Sequence, residues 1–286
     1  METGMETRKE FFQDVWPDVF ASRQKRKILR WPVVGVKDYT IRSGEEMKKV
    51  PCLVVGKEQV LGIIPIHESG IKLSENAGIN RNRMMKYLGQ EVAFIVIGVD
   101  VENDRFIASR KAALEVLSAQ AWPNLKEGMV VTVTARKVYE NAVVVEFDGI
   151  EAHLPVYEIS HGWVDEIHEV IQPGDVFDVK IIELDSENKK VTVSLKALIP
   201  NPWPGAAKRY EKNGVYRGTV TGVTRYGVFV ALEPGVNALC SHLKSDFRVD
   251  KGDVVAVAVR RVELREDGGR VSGSLVRVLR KNRAAS

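Results

Sequence analysis

The sequence predicts an all-β fold with short helices: three tandem five-stranded barrels preceded by a partly helical N-terminal segment. Three observations lead to this prediction. One pattern of residues occurs three times, several short β-like runs belong to each copy, and stretches rich in proline separate the copies. We therefore place the N-terminal extension at residues 1–44 and the three repeats at 45–121, 122–204 and 205–286.

The repeated pattern closes each copy. It runs from a glycine through an alternating apolar stretch and a polar turn to a second alternating stretch that contains a serine. Apolar residues with a period of two on both sides of a polar turn are typical of a β-hairpin. Each repeat is therefore expected to end in a hairpin. The glycines, spaced by 85 and 78 residues, and the serines are Gly89, Gly174 and Gly252, and Ser109, Ser194 and Ser274.

Shorter β-like runs precede each hairpin, at residues 52–55, 60–64, 130–134, 142–147, 215–220 and 228–232. With the hairpin they suggest five strands per repeat, which suits a small closed barrel because closure leaves no exposed sheet edge. Between strands, residues 80–88 and 164–171 have helical or turn character. We expect such a segment to cover one end of its barrel.

Clustered proline and glycine mark linkers at residues 121–124 and 200–205, because these residue types interrupt strands and helices. In the N-terminal extension, basic side chains are concentrated between Arg23 and Arg30. They have two interpretations, a grip on phosphate or a solvated helix face, of which the second is the more common.

The composition, with 44% hydrophobic and 28% charged residues, is that of a soluble globular protein. The longest apolar runs, at 92–99 and 254–259, fall far short of the roughly 20 residues that span a membrane. The polar N-terminus lacks the apolar core of a secretory signal. We expect a cytoplasmic protein without a membrane anchor. Cys52 and Cys240 are far apart in the sequence, which predicts two buried free thiols rather than a disulfide or a zinc site.

The third repeat reads RGTV at residues 217–220 and YGVFV at 226–230. In these residues it closely resembles the S1 RNA-binding domain, a five-stranded OB-fold. The motif SLK at 194–196, followed by NPW at 201–203, is similar to a junction between repeats in the large RNA-binding protein of the bacterial small ribosomal subunit. The resemblance extends over roughly residues 45–280 and is most specific in the third repeat.

The resemblance implies binding of single-stranded RNA, including mRNA, with bases stacked on Tyr226 and Phe229. In the family a histidine usually follows the third strand, where this sequence has Ser241, and His242 comes one position later. The resemblance also implies a partner in the small ribosomal subunit and a role in translation.

The strand around Phe229 supports an RNA site without reference to the family. Val228 and Val230 lie on one face of a strand, so if both fill the core of the barrel, Phe229 points outward. An outward phenylalanine can stack on any base, typically with about 1–3 kcal/mol per base. The alternative is that Phe229 packs against a neighbouring module or loop.

The charge is distributed unevenly along the chain. The net charge is +4 overall, −7 for residues 122–204 and +8 for residues 205–286. Cationic side chains bind phosphate and release counterions, so the third repeat is the expected site of RNA contact. The residues that we expect to bind RNA are Arg217, Arg225, Tyr226, Phe229, His242 and Lys244.

The first two repeats lack the aromatic pair. Alignment of Gly149 with Gly235 places Glu140 at the position of Tyr226. It places Val143 at the position of Phe229, and the first repeat has Leu53 near that position. We expect these repeats to bind RNA poorly and to serve as spacers or as contacts with proteins.

No pattern in the sequence points to catalysis. The five histidines form no metal-ligand pair with cysteine or with one another, and no glycine-rich phosphate-binding loop occurs. An RNA-degrading enzyme is the rival hypothesis, but the repeats use nearly the whole chain. We expect a monomeric, non-enzymatic RNA-binding protein without metal or cofactor. The alternative is a protein-interaction scaffold that docks on the ribosome or on RNA-processing machinery, with incidental RNA affinity.

Overall fold

The computed structural model describes residues 14–43, 46–242, 248–265 and 268–282. No helix in these ranges is long and apolar enough to cross a membrane. The α-helices are α1 (Trp16–Lys25), α2 (Ala77–Met85), α3 (Arg110–Ala121) and α4 (Trp203–Arg209).

The strands form three closed five-stranded barrels, which confirms the predicted fold class. In the first and third barrels the strand order, numbered within the barrel, is 1-2-3-5-4, and the second barrel has the same neighbours. Strands 3 and 5 of each barrel are parallel, whereas strand 4 is antiparallel to both strand 1 and strand 5 in all three barrels. The first barrel contains β1 (Leu29–Ser43), β2 (Glu46–Lys57), β3 (Val60–Pro65), β4 (Glu91–Asp100) and β5 (Arg105–Ser109). The second contains β6 (Val130–Val138), β7 (Ala142–Phe147), β8 (Ile150–Pro155), β9 (Val176–Asp185) and β10 (Lys190–Ser194). The third contains β11 (Val215–Thr224), β12 (Gly227–Glu233), β13 (Val236–Ser241), β14 (Val254–Arg265) and β15 (Gly268–Arg280).

The repeated glycine closes each barrel between its first and fourth strands. In the third barrel the Gly252 amide donates to the Val220 carbonyl, and the Val220 amide donates to the Asp253 carbonyl, both at 2.8 Å. Gly89 and Gly174 take part in equivalent pairs of bonds. The three glycines have φ of 77°, 99° and 86° in chain order, a backbone conformation that glycine adopts without steric cost. The recurring glycine therefore suits the backbone conformation at which each barrel closes.

The repeated serine ends the hairpin by starting a helical segment in two of the barrels. Ser109 Oγ accepts a hydrogen bond from the Ala112 amide at 2.9 Å and caps α3. Ser194 Oγ accepts one from the Ala197 amide at 2.9 Å, at the start of a short 3₁₀ turn. Ser274 instead lies within β15, which continues to residue 280. The sequence pattern predicts the hairpins and leaves α3 unpredicted.

The first barrel begins earlier than the sequence predicts. Residues 1–44 were expected to precede the barrel, yet β1 is its first strand, and α1 confirms that the extension is partly helical. Leu29, Trp31 and Val33 are buried in the core, where Trp31 contacts Phe94 and Phe106 edge-on with ring centroids 5.7 and 5.3 Å apart. Arg30 and Pro32 interleave with these apolar positions and obscure the alternation.

The predicted linker and helical segments differ from the structure in detail. α4 begins inside the predicted linker at 200–205, because proline is tolerated in the first turn of a helix. Its Trp203 and Ala206 belong to the core of the third barrel. The segment 164–171 contains only the short 3₁₀ turn Ile167–Glu169, whereas α2 confirms the helix predicted near 80–88.

The chain forms two compact units. The first holds the first barrel with residues up to Leu125, and also Glu146–Ile150. The second holds Lys126–Val145 and the chain from Glu151 onward, so it contains the third barrel and most of the second. The second and third repeats therefore share one unit, whereas the repeat pattern predicts a separate domain for each.

Candidate nucleic-acid interface

The turn between β11 and β12 presents an exposed aromatic ring beside a cation. The turn consists of Arg225 and Tyr226 and is held by Thr224, whose Oγ1 donates to the Gly227 carbonyl at 3.0 Å. The Tyr226 side chain is 75% exposed. The Arg225 guanidinium lies 4.8 Å from the centroid of the Tyr226 ring and donates to its hydroxyl at 2.6 Å. Strands 2 and 3 of OB-folds and the loop between strands 1 and 2 bind oligonucleotides, and this turn is that loop.

His242 lies beside the same turn. Its Nε2 is 2.9 Å from the Thr224 carbonyl oxygen, which is within hydrogen-bond distance. A cleft of about 520 Å³ next to it is lined by His242, Arg248, Lys251 and Asp165. The turn and this cleft together bring a ring, two arginines and a histidine into one region of the third barrel.

The other two predicted cations do not belong to this cluster. Arg217 is exposed on β11 and pairs in register with Ala256 of β14. It is seven residues from Thr224, a separation of about 23 Å along an extended strand. Lys244 lies outside the residues that the structure describes.

Phe229 points outward from β12, as the sequence predicts, because Val228 and Val230 are fully buried in the barrel. Its ring is not open to solvent on both faces. The Trp163 indole from the second repeat stacks on it, with ring centroids 3.8 Å apart and an interplanar angle of 5°. Of the two interpretations that the sequence left open, packing against a neighbouring module is the one the structure contains.

The loop that carries Trp163 is fixed to the third barrel by hydrogen bonds. The Trp163 amide donates to Asn237 Oδ1 at 3.2 Å, and Asn237 Nδ2 donates to Thr221 Oγ1 at 3.0 Å. Gly162 approaches so closely that a Cβ there would lie 2.7 Å from Asn237 Oδ1. A side chain at this position would displace the Asn237 carboxamide that holds the loop.

Ion pairs add to this attachment. Lys251 of the third repeat reaches Glu169 Oε2 at 2.5 Å and Asp165 Oδ2 at 3.2 Å in the second. The hydrogen bond to Glu169, followed by that to Asp165, raises the pKa of Lys251. The acidic second repeat thus neutralises one cation of the basic third repeat.

The residues equivalent to Phe229 in the other barrels are one position away from those that the sequence alignment indicates. Val143 and Leu53 are fully buried core residues, and their outward neighbours are Val144 and Val54. An irregularity near the end of β12 shifts its register by one residue, and such a shift moves side chains to the opposite face.

The same offset aligns Glu140 with Arg225 and Asn141 with Tyr226. The corrected positions also lack aromatic residues, so the contrast between the third repeat and the first two is unchanged.

Sequence reasoning missed a groove of about 900 Å³ in the second unit, which runs between the second and third repeats. Its location depends on residues that are far apart in the sequence, and a tryptophan in a polar, glycine-containing loop was the available signal. Six of its lining residues are Tyr157, His161, Trp163, Lys196, Phe229 and Arg270.

One family model matches two of the three barrels. The family model of the S1 RNA binding domain matches residues 124–196 and 209–275. A Streptococcus pneumoniae protein named small ribosomal subunit protein bS1 is 30% identical over 233 residues, which are 78% of this chain and 56% of that protein. A Clostridium acetobutylicum protein named 4-hydroxy-3-methylbut-2-enyl diphosphate reductase is 32% identical over 223 residues, which are 72% of this chain and 35% of that protein.

The chain therefore spans between about a third and just over half of the length of these two relatives. Among solved structures, a multidomain protein with nucleic acid binding domains from Streptococcus pneumoniae TIGR4 matches 87% of this chain and 73% of its own, with 13% identity and a TM-score of 0.20.

Proposed function

We propose, on the premise that residues 124–196 and 209–275 are S1 RNA-binding domains, that this chain binds single-stranded RNA and catalyses no reaction. One relative is named a reductase, but we do not assign that activity to this chain, because the match covers only 35% of that protein. The proposed RNA-binding residues are Arg225, Tyr226 and His242 around one turn, Phe229 beneath Trp163, Arg217 farther along β11, and Lys244.

The exposed Tyr226 ring beside Arg225 is the observation that supports this proposal most directly. An aromatic face accepts any base by stacking, and an adjacent guanidinium adds attraction for phosphate and for the π-face of a base. Arg248 and His242 extend the same surface, and the net charge of +8 for residues 205–286 favours a polyanion.

The biological setting that we propose is translation. The similarity to small ribosomal subunit protein bS1 supports association of this chain with the small ribosomal subunit and with mRNA. We further propose that the chain acts in the cytoplasm as a monomer.

RNA binding is tested with the full chain and a labelled oligouridylate of roughly 16 nucleotides, measured by fluorescence anisotropy. Tyr226→Ala is expected to raise Kd roughly tenfold, because stacking contributes about 1–3 kcal/mol per base. Arg225→Ala is expected to weaken binding as well. The matched control is Arg260→Ala, which removes an exposed arginine of the same barrel near the start of β11.

Equal losses for the Arg225 and Arg260 variants would mean that charge alone attracts the RNA. No loss for the Tyr226 variant would remove the stacking site from the proposal. Gel analysis of the same RNA after incubation with the protein and magnesium tests the absence of catalysis. The RNA is expected to stay at full length.

The charge of the second repeat favours a second candidate function, docking on a basic protein. Its net charge is −7, and a concentrated negative surface suits basic partners. Co-sedimentation with ribosomal subunits distinguishes the two. If RNA contacts dominate, Tyr226→Ala reduces co-sedimentation, whereas a protein-interaction scaffold keeps it unchanged.

A further inference from the structure

We propose that Trp163, a side chain of the second repeat, is a base-stacking residue of the RNA site on the third repeat. The site would then be a composite of two repeats, and the second repeat would take part in RNA recognition despite its acidic charge. This inference rests on the proposed binding of single-stranded RNA.

Trp163 is the more exposed ring of the stacked pair. The rings of Trp163 and Phe229 are nearly parallel at 3.8 Å, so each covers one face of the other. The Trp163 side chain is nevertheless 43% exposed. With one face covered, this exposure comes from the opposite face and the edges of the indole. Trp163 therefore offers a base more accessible ring surface than the partly buried Phe229 does.

The indole is held in place before RNA arrives. Its backbone amide donates to Asn237, Gly162 packs against Asn237, and Lys251 pairs with Asp165 two residues farther on. Fixing a binding group in its bound position lowers the entropic cost of association. These contacts suit a permanent part of the binding surface better than a cover that must swing away.

Trp163 also lies at a useful distance from the turn that carries Tyr226. A Cβ at Gly222 would be 3.0 Å from Trp163 Nε1, which sets the indole over the pair of residues Gly222 and Phe229. Thr224 is two residues farther along β11, or about 7 Å at the rise of an extended strand. Trp163 and Tyr226 thus present two aromatic faces along β11, an arrangement that suits successive bases of single-stranded RNA.

The groove continues this surface away from the turn. It contains the Tyr157 side chain, which is 67% exposed, and the cations Lys196 and Arg270. An RNA strand that leaves Trp163 along the groove would therefore meet a further ring and positive charge. Lys196 pairs with Glu158 at 3.3 Å, which leaves Arg270, an exposed residue, as the better phosphate ligand.

The test compares Trp163→Ala, Trp163→Phe and Val170→Ala in the full chain with the same labelled oligouridylate. Val170 is the matched control, because it is a 55% exposed apolar residue in the same part of the second repeat but does not line the groove. Trp163→Ala is expected to weaken binding roughly tenfold, Trp163→Phe to retain most of the affinity, and Val170→Ala to bind as the wild type does. Photocrosslinking of a 4-thiouridine oligonucleotide, with peptide mapping, is expected to label the peptide that contains Trp163.

Unchanged binding by Trp163→Ala overturns the inference, and so does tighter binding, which would identify the indole as a cover over Phe229. Thermal unfolding of each variant separates loss of the site from loss of the fold, and the phenylalanine variant and the crosslink remain informative if the alanine variant unfolds. If the wild type binds RNA and Tyr226→Ala weakens it while Trp163→Ala does not, only this inference fails. If the wild type does not bind RNA, the proposed function fails.

Discussion

Burial and hydrogen bonding act in opposite directions on the carboxylate of Asp253. The side chain is fully buried, and burial raises its pKa. Hydrogen bonds from the Asp250 and Asn282 amides, at 2.9 and 2.7 Å, and from the Lys281 ammonium lower it by more. The net effect is a pKa below the ordinary value of 3.8. The ionised form of this residue therefore stabilises the third barrel.

We predict that Asp253→Asn lowers the free energy of unfolding by about 2 kcal/mol at neutral pH, because charge-assisted bonds to a buried group are lost. Since the pKa is lower in the folded state, the stabilisation is present above about pH 4 and is lost as the pH falls through the folded pKa. Urea unfolding at about pH 7 and about pH 3 is expected to show a smaller difference between variant and wild type in acid.

The control for this substitution is Asp250→Asn, since Asp250 pairs with the same Lys281 at 3.0 Å but is 55% exposed. It is expected to change stability by less than about 1 kcal/mol. A difference between the Asp253 variant and wild type that widens in acid would contradict the assignment.

At the scale of elements, the glycine before the fourth strand is needed for its backbone conformation. Gly89 has a φ of 77°, and a Cβ there would have no atom within 4 Å. We predict that Gly89→Ala destabilises the first barrel by about 1–2 kcal/mol, the cost of a left-handed conformation for an L residue. Gly98→Ala, where a Cβ would make only ordinary contact, is the control and is expected to stay within about 0.5 kcal/mol. Urea unfolding of both variants is the measurement, and equal effects would argue against backbone strain.

The helix α3 shows why some elements escape sequence reasoning. Its first residue, Arg110, is 2% exposed and donates to the Ser69 carbonyl at 2.8 Å. Its guanidinium also pairs with Glu146 and lies 5.1 Å from the centroid of the Tyr87 ring. These partners are distant in the sequence, so a charged residue that ends a strand pattern gives no sign of starting a helix with its own side chain buried.

At the scale of the whole molecule, the second repeat carries a net negative charge and the third a net positive charge, and ion pairs within the second unit join the two. The net charge is −7 for residues 122–204 and +8 for residues 205–286, and Lys251 joins the two through Asp165 and Glu169. Arg225 and Tyr226 lie side by side on the turn of the third barrel, and only the arginine carries a charge. Electrostatic attraction and base stacking can therefore be measured separately.

We predict that RNA affinity falls as salt rises, with a slope of about −0.7 on a double logarithmic plot for each phosphate contacted. Arg225→Ala is expected to make the slope shallower by about 0.7, because one phosphate contact is lost. Tyr226→Ala is expected to lower affinity at every salt concentration and to keep the slope, because stacking releases no counterions. Anisotropy titrations over a series of salt concentrations measure both quantities, and a change of slope with Tyr226→Ala would contradict this division.

The three barrels, their hairpins and the outward direction of Phe229 followed from the sequence alone. They depend on alternation with a period of two and on glycine turns, which are local properties. The early start of the first barrel at Leu29, the one-residue offset at Val143 and the Trp163–Phe229 stack were decided only in the tertiary structure. Each of these depends on contacts between segments that are far apart in the chain, and no local pattern records such contacts.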